Sequence, residues 1–344
     1  MQKRPRWWLL GTALFPVLAL AVVLTVPTTR DAVFRFFRGG PDRDGPPRNG
    51  EHTHQGRTLQ EWAQQLQSTS IEDRAAACYA FQYFGSEEAA IVAPSLIPLL
   101  KDRDHRLRSG AAYALGRIGP PARDAVLPLT ELLADEHAHV RTVVAEALDL
   151  MSGPQARAAV PALKGALQNA LKDEANDEPA RRFRYHIARA LGKFGPEARS
   201  AVTPLAKLLK DRDADVRPAA GEALGLIGPG ARAAVPALTR ALEDGEAALR
   251  LEAAQALWRI EKSPRTVPVL VEIFKDDKEP HLRTQAAAAL GRVGAAAKAA
   301  VPLLVEAAKN DPTRGVKGRY DVRIAAAAAL MQIDPGAAAR AGLK

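Results

Sequence analysis

A unit of about 33 residues recurs almost to the C-terminus of this chain, and a fixed period of that length constrains the fold more than any single residue does. One copy contains Val202-Thr-Pro-Leu205, Leu208-Leu209-Lys-Asp211, Val216-Arg217 and Ala223-Leu224-Gly-Leu-Ile227-Gly228. Another contains Val126-Leu-Pro-Leu129, Leu132-Leu133-Ala-Asp135, Val140-Arg141 and Ala147-Leu148. Aligned on one arginine, eight copies fall at Arg74, Arg108, Arg141, Arg184, Arg217, Arg250, Arg283 and Arg323. Five of the seven spacings are 33 or 34 residues, and the other two, 43 and 40, mark insertions.

Each copy holds two apolar segments with helical spacing. Proline near the start of the first, as in Val235-Pro236-Ala-Leu238, suits the first turn of a helix, where a missing N–H costs nothing. The second is shown by Arg250-Leu251-Glu-Ala253-Ala254-Gln-Ala256-Leu257. Gly119, Gly195, Gly228 and Gly294 follow second helices and suit a left-handed helix-ending residue. Period-two alternation is missing, so no sheet is expected. Aromatic residues make up only 5% of the chain, so the core must be mostly Ala, Leu, Val and Ile.

The proline of the first helix, the Asp and Arg flanking the inter-helix turn, and the Ala-Leu-Gly-x-Ile-Gly ending resemble the HEAT repeat family, in the short bacterial form related to the phycobilisome-lyase HEAT-like repeats. The resemblance spans residues 57–335. It implies an all-α, right-handed α-solenoid of about eight two-helix repeats, and a family that mostly supplies binding scaffolds. It also implies that the pairs Asp102/Arg108, Asp135/Arg141, Asp211/Arg217, Asp244/Arg250 and Asp277/Arg283 form a structural ladder between neighbouring inter-helix turns. Trp62, in the divergent first copy, is expected to close the end of the core.

Ahead of the repeats, residues 7–26 run for 20 positions without a charge, about 30 Å as a helix and so the thickness of a bilayer core. Trp7 and Trp8 open the run, after a basic flank at residues 1–6. An uncleaved signal anchor is favoured over a cleaved signal peptide, because the best cleavage motif, Ala19-Leu-Ala21, lies inside the apolar run. Flanking basic residues are nearly balanced. The free amine tips the expected orientation toward a single-pass protein with extracytoplasmic repeats. Residues 27–56 read as a juxtamembrane segment and a linker rich in Gly and Pro, and residues 336–344 as a tail. His52 and His54 lack the further ligands that a metal site needs.

Formal net charge is +9, but residues 1–50 carry +5 of it, leaving the remainder almost balanced. That argues against nucleic acid as a partner. The single cysteine, Cys78, excludes an internal disulfide. No phosphate-binding loop, HExxH, CxxC or GxSxG motif occurs. No catalytic residue, metal or cofactor is therefore expected, and the reading is a monomeric, membrane-tethered, non-catalytic scaffold for an unidentified protein. The alternatives are a lyase-type enzyme on the same fold or a nucleic-acid-binding solenoid.

Positions five and nine after the consensus arginine vary most and are expected to face outward from the second helices. Candidate protein-binding residues there are Tyr79, Tyr83, Tyr113, Arg117, Arg189, Lys193, Arg259 and Arg292. Tyrosine and arginine are side chains that interfaces favour. Arg314, Lys317 and Arg319 join them from the insertion at 311–322. That insertion and the one at 170–183 are expected to project from one edge as recognition loops.

Overall fold

The computed structural model describes residues 53–173, 175–313 and 321–343. They are almost entirely helical, in a stack of two-helix repeats. By contact the chain divides into two units, one ending at Met151 and the other beginning at Ser152.

The first unit opens with a minimal antiparallel hairpin, β1 (Thr53–His54) and β2 (Arg57–Thr58), with Thr53 opposite Thr58. Gln55 and Gly56 both have positive φ, 52° and 72°, as the tight two-residue hairpin turn demands. The expected absence of strands does not hold here, since two strand residues on each side were too few to show any alternation. Thr58 then caps α1 (Leu59–Gln65) in a reciprocal box: its hydroxyl accepts from the Glu61 N–H while Glu61 Oε2 accepts from the Thr58 N–H at 2.7 Å. Trp62 is buried and donates from Nε1 to the His54 carbonyl at 3.1 Å, so hairpin and tryptophan together close this end of the core.

The unit continues through α2 (Ile71–Ala80), two single-turn helices α3 (Ser86–Ala89) and α4 (Ala93–Leu96), α5 (His105–Ile118), α6 (Val126–Glu131) and α7 (Ala138–Met151). The second unit contains α8 (Val160–Ala170), α9 (Glu178–Lys193), α10 (Val202–Leu208), α11 (Val216–Ile227), α12 (Val235–Ala241), α13 (Ala247–Glu261), α14 (Thr266–Asp276), α15 (Pro280–Val293), α16 (Val301–Asn310), α17 (Val322–Ile333) and α18 (Pro335–Arg340). Second helices stack on one another, α2 on α5 on α7 in the first unit and α9 on α11 on α13 in the second. The helix α18, in the segment read as a tail, packs on α16 and α17.

Two kinds of glycine make the stack possible. Gly119, Gly228 and Gly294 end their helices at φ 75°, 69° and 68° with ψ near −140°. This is the mirror-extended region that only glycine enters readily, rather than the left-handed helical region expected from the sequence. Eight residues after the consensus arginine, Gly116, Gly192, Gly225 and Gly291 face the next second helix at backbone contact. A Cβ on them would lie 2.6, 2.8, 3.0 and 3.1 Å from the Cα of Ala147, Ala223, Ala256 and Ala329.

The expected projecting loop at 170–183 is helix in its second part: α9 starts six residues before Arg184, whereas α11 starts one before Arg217. Asp177 caps α9, its carboxylate accepting from the Ala180 N–H at 3.0 Å. The extra residues lengthened a helix because Glu178 and Pro179 can open one. The membrane run at 7–26 and the candidates Arg314, Lys317 and Arg319 lie outside the described residues. Pro280–Asn310 is long and apolar enough to cross a membrane by composition. Gly294 breaks it into α15 and α16, and both pack against α17.

Candidate functional site

The inter-helix turns come first, because they fix where every second helix points. Arg108 donates through Nε and Nη2 to both carboxylate oxygens of Asp135, at 2.7 and 3.0 Å, and Arg184 grips Asp211 in the same way at 2.7 and 3.1 Å. In these two pairs the acid serves the arginine of the preceding repeat, whereas Arg217 takes Glu246 in place of Asp244, at 3.1 and 2.6 Å. The arginine six residues later in its own repeat takes the acid's backbone carbonyl instead, as Arg108 does with Asp102 at 3.0 Å and Arg217 with Asp211 at 3.1 Å. The carboxylate also caps its own turn, Asp135 accepting from the His137 N–H at 2.9 Å. Burial alone would raise the Asp135 pKa, but Arg108 and the His137 N–H outweigh it and hold the carboxyl below its ordinary range. Asp102, Asp135 and Asp211 are thus occupied structurally by arginines of the preceding repeats.

The ladder and the helix stacking both fail at one step of the second unit. Arg250 does not reach Asp277; its nearest acid is Glu272, at 3.7 Å, and its Nε is buried without a hydrogen-bond partner. At the position where α11 and α15 carry close-packing glycines, α13 carries Trp258. An indole cannot sit where a methyl group would already collide, so α13 and α15 are held apart and touch far less than α11 and α13 do.

The opened step gathers polar chemistry. Gln255 is buried; it donates to Glu252 Oε1 at 3.0 Å and accepts from Arg292 Nη2. Burial first, and then the nearby Glu222 carboxylate, push the Glu252 carboxyl up to about 7, against the pull of Arg259 and Arg292. A carboxyl poised near neutrality in a cleft is a candidate for handling protons. A cavity of about 390 Å³ opens beside it, with Glu222, Glu246, Glu252 and His281 in its walls.

In the first unit the second helices present an aromatic patch. The Tyr79 and Tyr113 rings lie 5.4 Å apart, and the Tyr113 hydroxyl donates to Gln82 Oε1 at 2.5 Å. His54 stacks on Tyr83 at 3.8 Å. Arg117 is exposed on α5. In the second unit Arg189 lies over Tyr185 and donates to its hydroxyl at 3.0 Å, and Lys193 is exposed on α9. Arg259 and Arg292, two further sequence candidates, come together at the α13–α15 step. Gln255, in the same outward series, is buried instead.

Glu252 and Trp258 escaped the sequence reading. Trp258 had a signal, a large ring where comparable copies carry glycine. Glu252 had none, because its environment is built by two other helices. Cys78 is buried, and burial pushes its thiol up to about 12, so it is no nucleophile. Among the described residues, no three His, Cys, Asp or Glu side chains group as a metal site.

This geometry can be compared with known proteins. The family model for HEAT repeats matches residues 59–149, 169–258 and 235–320. Phycocyanobilin lyase subunit alpha of Picosynechococcus sp. is 33% identical over 175 residues, 47% of this chain. The chain spans 62% of that relative's length. An engineered protein of known structure is similar at 25% identity, over 83% of this chain and 82% of its own, with a TM-score of 0.51. The complex of CpcE and CpcF of phycocyanin lyase from Nostoc sp. is similar at 23% identity, over 88% of this chain and 97% of its own, with a TM-score of 0.40. The expectation of a non-catalytic chain is corrected by the first of these relatives, which is a lyase subunit. The missing catalytic motif was poor ground for that expectation, since it tested only local signatures and a proton-handling group can be assembled from separate repeats. The repeat period, the turn ladder, the helix stack and the match over most of the chain agree: this protein belongs to the HEAT repeat family.

Proposed function

We propose that this chain works in a lyase-type reaction, its HEAT stack binding a protein partner while a group is joined to or released from it. The carrying observation is the 33% identity to phycocyanobilin lyase subunit alpha. Helical repeat stacks offer extended side-chain surfaces, which suits recognition of another polypeptide. Addition and elimination chemistry needs a group that takes and returns a proton near neutral pH, and Glu252 has that character. Tyr79, Tyr83, Tyr113, Arg117, Arg189 and Lys193, with Arg314, Lys317 and Arg319, are proposed as partner contacts.

The test is direct. The purified chain, alone and with a companion HEAT subunit, is incubated with phycocyanobilin and apo-phycocyanin, and pigment absorbance is followed on the denatured acceptor. Pigment attached faster than in the protein-free control supports the reading. Background attachment in every combination, with no binding of the acceptor, refutes it.

Membrane tethering through residues 7–26, with the solenoid at 57–335, is a second part of the proposal and rests on the uncharged run of 20 residues. Retention in the membrane pellet after alkaline extraction supports it, and release refutes it.

A further inference from the structure

The step that Trp258 holds open leaves a crevice of about 140 Å³ whose walls carry positive charge and no acid. Trp258, Arg259, Lys262 and Arg292 line it. Arg292 donates to the neutral amide of Gln255 rather than to a carboxylate. Arg259 lines it from α13, with its Nη1 buried against Gly225 of α11. The Lys262 ammonium sits 5.3 Å from the centroid of the Trp258 ring. Burial and the neighbouring Arg259 together weaken the hold of Arg292 on its own proton, the signature of two cations crowded without a full counter-charge. The nearest carboxyl that could supply one is Glu252, which near neutral pH is ionised only part of the time. Two guanidinium forks lining one crevice are matched by a carboxylate. The volume admits the end of one side chain and excludes a folded element.

We propose that the crevice between α13 and α15 is a carboxylate socket that takes an acidic side chain of a partner polypeptide, held by Arg259 and Arg292 with its stem against Trp258. Glu252 regulates the socket. When it is protonated, the arginines are left to the incoming carboxylate; when it is ionised, it competes for them. Glu252 is faced by Glu222 from α11, by Gln255 and Arg259 on its own helix, and by Arg292 from α15, with Glu246 and His281 in the adjoining cavity.

The experiment is calorimetric titration of the full chain with an end-blocked tetraglutamate peptide, the tetraglutamine peptide and succinate. It uses no pigment and no turnover, so its result is independent of the lyase reading. Binding of the glutamate peptide alone, weakened at least tenfold by Arg292→Gln and by Arg259→Gln, is expected. Part of the Arg292 side chain still reaches solvent, so its variant decides the matter should Arg259→Gln fail to fold. Affinity is expected to rise severalfold from about pH 8 to about pH 6 in the parent and to stay flat in Glu252→Gln. No glutamate-specific binding, or binding unchanged in Arg292→Gln, overturns the socket. Succinate bound as tightly as the peptide overturns the polypeptide source. A pH dependence surviving in Glu252→Gln overturns the role of Glu252.

Discussion

At the scale of the residue, the ladder acids and Glu252 are carboxyls driven in opposite directions by their surroundings. Asp135 is held ionised by Arg108, so its contribution to stability is present above the ordinary aspartate pKa and lost as the pH falls through its depressed folded value. Asp135→Asn should therefore flatten the acid limb below about pH 4, read as denaturant midpoints against pH. Arg108→Ala strands a buried carboxylate and should cost about 3–5 kcal/mol. Arg74→Ala, which breaks one 3.2 Å contact nearer to solvent, should cost distinctly less in the same urea series. Glu252 has the opposite sign. Its folded pKa of about 7 lies above the ordinary 4.5, so between those values the unfolded chain ionises first and stability falls as the pH rises. Glu252→Gln should remove that fall, which at about 1.4 kcal/mol per unit is at most about 3 kcal/mol. Equal slopes in the parent and variant would show that Glu252 keeps an ordinary pKa.

At the scale of the element, small residues decide how closely second helices approach. Gly116→Ala gains helix propensity of about 1 kcal/mol but places a Cβ 2.6 Å from the Ala147 Cα, so a net loss of about 1–3 kcal/mol is expected. Gly165→Ala, within α8 and with nothing within 4 Å of the added Cβ, should instead stabilise by up to about 1 kcal/mol. Thermal melting of the two variants checks the pair, and the same sign for both would contradict the assigned packing. The Gly-to-Trp exchange at position 258 was visible in the repeat alignment. Its consequence was not, because a lone indole in a sequence does not say whether it fills a core, caps an end as Trp62 does, or props two helices apart. The insertion at 170–183 shows the same limit: residue number announced extra chain, while the Asp177 cap and the Pro179 in the first turn made 178–183 part of a helix.

At the scale of the whole molecule, stability in a repeat stack is approximately a sum of repeat and nearest-neighbour terms. Leu224 is fully buried in α11, and Leu224→Ala should cost about 2–5 kcal/mol. Hydrogen exchange should show lost protection in α9, α11 and α13, the helices stacked on that site, while α17 keeps its own. Uniform loss across all repeats would mean that the stack unfolds as one cooperative block. The period of 33, the two helices per copy and the alternation of Asp and Arg across the turns were determined by the sequence alone, because local periodicity and short-range capping are written in consecutive residues. Which acid each arginine takes, the separation of α13 from α15, and the meeting of Glu252, Gln255, Arg259 and Arg292 were decided only by tertiary structure. The pairings between helices join residues about one repeat apart, and all of these energies depend on burial and on neighbouring charges that exist only once the helices have stacked.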